Sequence, residues 1–132
     1  MIFIFGGAYQ GKLEYALKRF RLEPSDAVCC DGEEVPPDLT EKKIICHFER
    51  LVLYCVKNGM DAPDYVRKLE KKLENRIVIM DDISRGVVPM DPLARRWREA
   101  NGRVSCFLSS RASETVHVFC GLAETLGKDE EK

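Results

Sequence analysis

Residues 1–20 read MIFIFGGAYQGKLEYALKRF, and they contain three structural signals in succession. The apolar run Ile2–Phe5 predicts a fully buried strand of the kind found in parallel sheets. A glycine-rich turn, Gly6–Gly11, follows it directly. Apolar residues then recur at helical spacing from Leu13 to Phe20 and predict an amphipathic helix. The chain therefore opens with a strand, a glycine turn and a helix.

The turn has the Gly-x4-Gly-Lys spacing of a phosphate-binding loop. In such a P-loop, backbone N–H groups and the positive end of the next helix surround the phosphates, and the lysine reaches the outer ones. The following position normally supplies a Ser or Thr hydroxyl to magnesium, but here it is a leucine. The predicted nucleotide-binding residues are Gly6, Gly7, Ala8, Tyr9, Gln10, Gly11, Lys12 and Leu13. The alternative is that the glycines only form a turn and the lysine is a surface residue.

The rest of the chain alternates between strand and helix patterns. Further strands are predicted at Ala27–Cys30, Lys43–Phe48, Ile77–Met80 and Val116–Gly121. Helices are predicted at Glu49–Lys57, from a cap at Asp61 to about Glu74, and at Leu93–Ser113, with Gly102 as a weak point of the last. This alternation predicts an α/β fold: three layers, a mostly parallel sheet of about five strands, and helices on both faces. We expect one domain over residues 1–126 and a charged, frayed tail over 127–132.

The bulk composition excludes several classes of protein. The 132 residues carry a formal net charge of −1, with 45% hydrophobic and 33% charged residues, as in ordinary globular domains. A nearly neutral chain has no general attraction to nucleic acid or to an anionic membrane, and no apolar run is long enough to cross a bilayer. Six cysteines lie mostly in apolar runs without a CxxC pair, so we expect reduced thiols, no structural zinc and a cytoplasmic location.

P-loop enzymes usually carry a second acid at the end of another strand, where it helps to hold magnesium. Asp81 and Asp82 end the predicted strand at Ile77–Met80 and are the candidate magnesium ligands; helix capping is their alternative role. The strand before it ends in Cys46 and His47, without a carboxylate. His47 is chemically able to accept a phosphoryl or nucleotidyl group, but packing or capping is the commoner role of such a residue. His117 lies inside a strand pattern and is expected to be structural.

The second half of the chain, DDISRGVVPMDPLARRWREANGRVSCFL, resembles the bifunctional adenosylcobinamide kinase/adenosylcobinamide-phosphate guanylyltransferase family of cobalamin biosynthesis. That family opens with a GGARSGKS-like P-loop and later has a strand ending Asn-Glu, a G-hydrophobic-V-P turn and a helix of the form LAR-x-FRD-x-x-GR. The matching residues are Gly6, Gly7, Ala8, Gly11 and Lys12; Asp81 and Asp82; Gly86, Val88 and Pro89; Leu93, Ala94, Arg95, Arg98, Gly102, Arg103 and Val104; and Gly121. Trp97 and Glu99 replace the Phe and Asp of the helix.

The resemblance implies a P-loop NTPase-like fold, ATP or GTP as ligand, and catalytic roles for Lys12 at the phosphates and Asp82 at magnesium or a water. It also implies cobinamide as a partner and a homo-oligomer. Three departures accompany it. Leu13 replaces the hydroxyl residue, His47-Phe48-Glu49-Arg50 falls where the family has an acid followed by Cys, and the segment that carries the guanylylated histidine shrinks to DGEEVPPDLTEK.

Two functions remain open at this point. One is a divergent cobinamide kinase/guanylyltransferase-like enzyme that has lost guanylyl transfer and retains weak metal chemistry. The other is a catalytically degenerate module that binds a nucleotide or another anion and acts through a protein partner. A third possibility is a structural remnant with an empty loop.

Overall fold

The computed structural model describes residues 1–83 and 91–128. Its strands are β1 (Ile2–Gly6), β2 (Ala27–Cys29), β3 (Ile44–Cys46), β4 (Ile77–Asp81), β5 (Glu114–Phe119) and β6 (Leu122–Lys128). Its helices are α1 (Lys12–Phe20), α2 (Phe48–Lys57), α3 (Ala62–Lys68) and α4 (Pro92–Arg111), with short 3₁₀ turns at Pro24–Asp26 and Glu70–Leu73. The turn residues Gly86, Val88 and Pro89 and the end of the charged tail lie outside the described residues.

The sheet has the strand order β2-β3-β4-β1-β5-β6, and its first five strands are parallel. β1 lies between β4 and β5, so the turn after β1 opens at the carboxyl edge of the sheet near the end of β4. Ligands bind at this edge in open α/β sheets, because the connections there leave a crevice. The α/β, P-loop NTPase-like fold predicted from the sequence is confirmed.

The two faces of the sheet are buried by different helices. Side chains alternate along β1, so that Phe3 and Phe5 face one hydrophobic cluster and Ile4 faces the other. The first cluster is covered by α2, α3 and α4, and its fully buried members include Phe48 and Leu108. The second is covered by α1. These are the three layers with helices on both faces that the alternation predicts.

The sixth strand was not predicted from the sequence. Cys120 and Gly121 both have positive φ, 51° and 77°, and form the tight turn of an antiparallel β5–β6 hairpin. Residues 122–126 of β6 are all exposed, so this part of the edge strand has no buried face to create an alternating pattern. It continues to Lys128, past the domain boundary expected at residue 126.

Several element boundaries also differ from the prediction, two of them near the cleft or in the core. The strand expected at Lys43–Phe48 ends at Cys46, because His47 adopts the left-handed conformation, with φ of 56°, and Phe48 already begins α2. The helix capped by Asp61 ends at Lys68 and is followed by a 3₁₀ turn, although Leu73 remains buried. Gly102 does not interrupt α4. Within the described ranges, no helix has the length and apolarity needed to cross a bilayer.

Candidate functional site

The carboxyl ends of β2, β3 and β4, the loop after β1 and the amino end of α1 surround a cleft of about 320 Å³. The described residues that line it are Ala8, Tyr9, Gln10, Gly11, Lys12, Leu13, Glu14, Cys29, Cys46, His47, Arg50, Ile79 and Asp81. The predicted phosphate-binding loop thus forms one wall of the cleft. β2, β3 and β4, with the start of α2, contribute the residues opposite.

The loop between β1 and α1 leaves its backbone N–H groups available on the cleft side. Within residues 1–83 and 91–128, the backbone N–H groups from Gly7 to Leu13 donate no hydrogen bond to the protein. Gln10 anchors the loop from outside, since its carbonyl accepts from Gly121 N at 3.0 Å and its Oε1 accepts from Cys120 N at 2.6 Å. Successive backbone N–H groups that have no hydrogen-bond acceptor, at the N-terminus of a helix, make a site for an anion.

Lys12 is the first residue of α1, and only 6% of it is exposed. Its Nζ lies 2.7 Å from Asp81 Oδ1 and donates to the carbonyl of Gly7 at 2.6 Å. The ammonium group is therefore held inside the cleft wall, and the alternative reading of Lys12 as a surface residue is wrong. The structure brings together Lys12, Asp81 and the loop.

Leu13 turns towards the sheet and packs against the hydrophobic cluster beneath α1 that includes Ile4 and Ala16. A leucine at this position adds to the packing of α1, and it offers no oxygen to a cation. At the position where a P-loop usually has a hydroxyl residue, Leu13 therefore contributes apolar contact between α1 and the sheet.

Asp82 lies next to Asp81 but lines a different cavity. Its backbone N–H donates to Gly6 O at 2.8 Å. With Arg98 and Asn101, Asp82 lines a cavity of about 170 Å³ on the α4 side of the sheet. Among the described residues, the acid beside Lys12 in the cleft is Asp81.

The structure adds a carboxylate that the sequence analysis missed. Glu49, in the first turn of α2, is only 2% exposed. Its Oε1 accepts from the backbone N–H of Asp81 at 2.8 Å, and its Oε2 accepts from His47 Nδ1 at 3.1 Å. The prediction that this segment brings no acid to the site is therefore wrong. The strand itself ends without an acid, but the tight turn at His47 directs the first turn of α2, with Glu49, back over the same edge of the sheet.

Two further contacts hold Glu49 in place. Trp97 Nε1, on α4, donates to the Glu49 carbonyl at 2.8 Å, and Arg50 Nε lies 3.7 Å from Glu49 Oε2 at the exposed rim. His47 is about a third exposed, and its Nδ1 lies 3.9 Å from Asp81 Oδ2. His47, Glu49 and Asp81 thus lie together at the edge of the cleft. The sequence signal for this pair is a His and an acid two residues apart directly after an apolar strand, which does not by itself indicate that they reach Asp81.

All six cysteines lie within the described residues and are free thiols. Cys29 and Cys46 line the cleft on adjacent strands, in register with one another. Burial raises the pKa of the Cys46 thiol to about 12, and the neighbouring Cys29 adds to that shift. Cys46 is therefore protonated at neutral pH and is a weak nucleophile.

The residues at the loop do not fit the magnesium site that a P-loop normally provides. Leu13 has no ligand atom, and Asp81 Oδ1 is already paired with Lys12. Magnesium is bound through oxygen ligands at nearly octahedral positions. The donor atoms that do converge here, on His47, Glu49 and Asp81, include an imidazole nitrogen instead.

Comparison with known proteins agrees with the fold and with the resemblance of the second half. The family model described as cobinamide kinase / cobinamide phosphate guanyltransferase matches residues 52–126, which is more than half of the chain. The matched range includes β4, α4, β5 and Asp81, and it begins after the glycine loop. No curated protein matches the chain. On the family match, the chain belongs to the cobinamide kinase / cobinamide phosphate guanyltransferase family.

Proposed function

We propose that this chain binds the phosphate groups of ATP or GTP in the cradle Gly6–Leu13, as a divergent family member that has lost guanylyl transfer. The observation that carries the proposal is a row of N–H groups, from Gly7 to Leu13, that donate to no other residue in the described part of the chain and lie around a buried lysine. Backbone donors and a helix N-terminus recognise phosphate oxygens without regard to the base. The choice between ATP and GTP thus depends on groups outside the loop.

Lys12 is proposed as the residue that contacts the outer phosphates. In the free protein its Nζ is bonded to Asp81 Oδ1 and Gly7 O. A phosphate oxygen in the cradle would replace the Gly7 carbonyl as acceptor, while Asp81 keeps the ammonium group pointed into the cleft. Asp82, the second catalytic candidate from the sequence, would have to act from its neighbouring cavity.

The proposed loss of guanylyl transfer rests on the histidines of the chain. There are only two, and the segment DGEEVPPDLTEK between β2 and β3 contains neither. The Nδ1 of His47 donates to the buried Glu49 carboxylate, and His117 stacks on Phe5 with ring centroids 5.0 Å apart. Neither histidine lies in the segment where the resemblance places the guanylylated residue, and on that ground we propose no nucleotidyl-accepting role for either. Cobinamide as the phosphoryl acceptor is proposed from family membership alone.

The second candidate, a binding module without turnover, is favoured by one observation. Leu13 gives the loop no metal ligand, and phosphoryl transfer depends heavily on a cation that neutralises the phosphates. Such a module would still bind nucleotide through Lys12 and the loop. The two candidates differ in whether the bound nucleotide is hydrolysed or transferred.

Thermal unfolding with ATP and GTP, with and without magnesium, tests the proposal. A ligand at ten times its Kd stabilises by about 1.4 kcal/mol, which raises Tm of a domain of this size by roughly 3–8 °C. We expect such a shift for the native chain, its loss in Lys12→Met, and its retention in Lys18→Ala, which removes an exposed lysine from the same helix. Radiolabelled nucleotide turnover in the same samples separates the enzyme from the module.

The unliganded Tm of Lys12→Met shows whether the variant folds. A native chain whose Tm does not respond to millimolar nucleotide would refute nucleotide binding. An equal shift in native and Lys12→Met protein would place the nucleotide elsewhere.

A further inference from the structure

We propose that His47, Glu49 and Asp81 form a binding site for a first-row transition-metal dication, open towards the cleft. This inference does not depend on nucleotide binding, because the three ligands belong to the protein alone. It assigns the metal to a different set of residues from the Asp81/Asp82 pair predicted from the sequence.

The donor atoms are already close to the spacing that such an ion needs. One donor atom from each of the three residues lies within 4.8 Å of the others. His47 Nδ1 is 3.1 Å from Glu49 Oε2 and 3.9 Å from Asp81 Oδ2. Ligand bonds of about 2.1 Å place neighbouring ligand atoms roughly 3.0–3.5 Å apart, so the ion requires only small side-chain shifts.

The scaffold holds these donors in place before any ion binds. Glu49 is fixed through the backbone N–H of Asp81 and through Trp97, while Asp81 ends a central strand. Asp81 offers its two oxygens in different directions. Lys12 pairs with Oδ1, which leaves Oδ2 on the side of His47. A metal can therefore bind without displacing Lys12 from the loop.

Charge also favours a cation at this position. Two carboxylates, of which Glu49 is almost fully buried, lie beside one buried ammonium group. Arg50 approaches Glu49 only from the rim, at 3.7 Å and with about half of its side chain exposed. A dication between the carboxylates would offset negative charge that is costly to keep away from water.

The donor set selects the kind of metal. One imidazole nitrogen and two carboxylates suit Mn²⁺, Co²⁺ or Zn²⁺, which accept mixed nitrogen and oxygen ligands. Magnesium binds through oxygen and gives up its water reluctantly. The site would thus supply a cation at the phosphate cleft from the β3–α2 turn, in place of the missing ligand at Leu13.

Titration of the nucleotide-free protein with Co²⁺ tests the site through the visible d–d absorption. We expect a weak band that saturates at one ion per chain and survives a 100-fold excess of Mg²⁺. His47→Asn, which suits the left-handed backbone, and Glu49→Gln, which keeps the acceptor for Asp81 N, should each weaken binding at least tenfold. His117→Asn is the matched control and should bind Co²⁺ like the native chain.

Three results would overturn the proposal: no saturable Co²⁺ binding at millimolar ion, equal affinity in native and His47→Asn protein, or an intense near-ultraviolet thiolate band that identifies cysteine ligands. Thermal unfolding of each variant without metal confirms that it folds. Since nucleotide is absent, a failure here leaves the outcome of the nucleotide experiment unaffected.

Discussion

Gly6 ends β1 where the chain passes close to the backbone of β5. A Cβ built at this position would lie 2.3 Å from the carbonyl oxygen of Val118. Backbone cannot move aside as a flexible side chain can, because it is held in the sheet ladder. The first glycine of the loop is therefore required by the sheet itself, whether or not a phosphate binds.

Gly6→Ala is expected to lower the free energy of unfolding by about 2–3 kcal/mol, because overpacking against backbone forces β1 and β5 apart. Urea denaturation measures the loss. Gly102→Ala is the control: a Cβ there meets nothing within 4 Å, and a helix interior gains about 0.5–1 kcal/mol from Gly to Ala. Equal stability of Gly6→Ala and native protein would mean that β1 and β5 are further apart than described.

At the scale of elements, α1 is the helix that presents the loop, and it is tied to β5 by an ion pair between exposed Arg19 and the buried carboxylate of Glu114. Arg19 donates two hydrogen bonds to the carboxylate of Glu114, at 2.9 and 2.7 Å. This pairing raises the pKa of the Arg19 guanidinium further above its already high value. The contact fixes the far end of α1 while Gln10 fixes the loop end.

Arg19→Met is expected to lower the free energy of unfolding by about 1–3 kcal/mol, since it takes the bidentate partner from a carboxylate that is mostly buried. Arg19 also packs over the Phe20 ring, with 4.7 Å between its Cζ and the ring centroid. A double-mutant cycle with Glu114→Gln isolates the ion pair and should give a coupling of at least about 1 kcal/mol.

The exposed pair Arg103–Glu99 on α4 provides the comparison for that cycle. Its i, i+4 geometry at the surface should yield no more than about 0.5 kcal/mol. If the Arg19 and Glu114 substitutions were additive, the attachment of α1 would depend on packing alone.

For the whole molecule, the sheet separates two hydrophobic clusters, and buried thiols belong to the larger one. Burial raises the pKa of Cys30 to about 12 and that of Cys55 to about 11. In the unfolded chain these thiols ionise near pH 8.5–9. Above that pH the unfolded state has released protons that the native state still holds, so stability falls as pH rises.

Between pH 9 and 11 we expect the free energy of unfolding to fall by up to about 1.4 kcal/mol per pH unit for each such thiol. Urea denaturation in reducing buffer at pH 7, 9 and 10 measures the slope. Cys55→Ala should flatten it, and Cys106→Ala, at an exposed thiol, should leave it unchanged. An identical slope in Cys55→Ala and native protein would show that Cys55 is not protected by burial.

The local sequence determined the order of the elements and the place of the loop. The apolar run Ile2–Phe5, the glycine turn and the helical spacing after it specify neighbouring residues, and these signals act over a few positions. The edge strand β6 was not predicted because its residues 122–126 are all exposed and leave no alternating pattern, although the turn at Cys120 and Gly121 precedes it. The first five strands could be predicted because each has buried or partly buried apolar residues that leave a pattern in the sequence.

Only the tertiary structure decided which residues share the site. Asp81 and Asp82 are adjacent in the sequence, yet Asp81 pairs with Lys12 in the cleft, whereas Asp82 lines the cavity on the α4 side of the sheet, which Asp81 also borders. Glu49 joins the site because the chain turns back at His47. The local sequence does not predict that turn. Neighbours along the chain are set by covalent spacing, whereas neighbours across the cleft are set by how β1, β3 and β4 pack side by side.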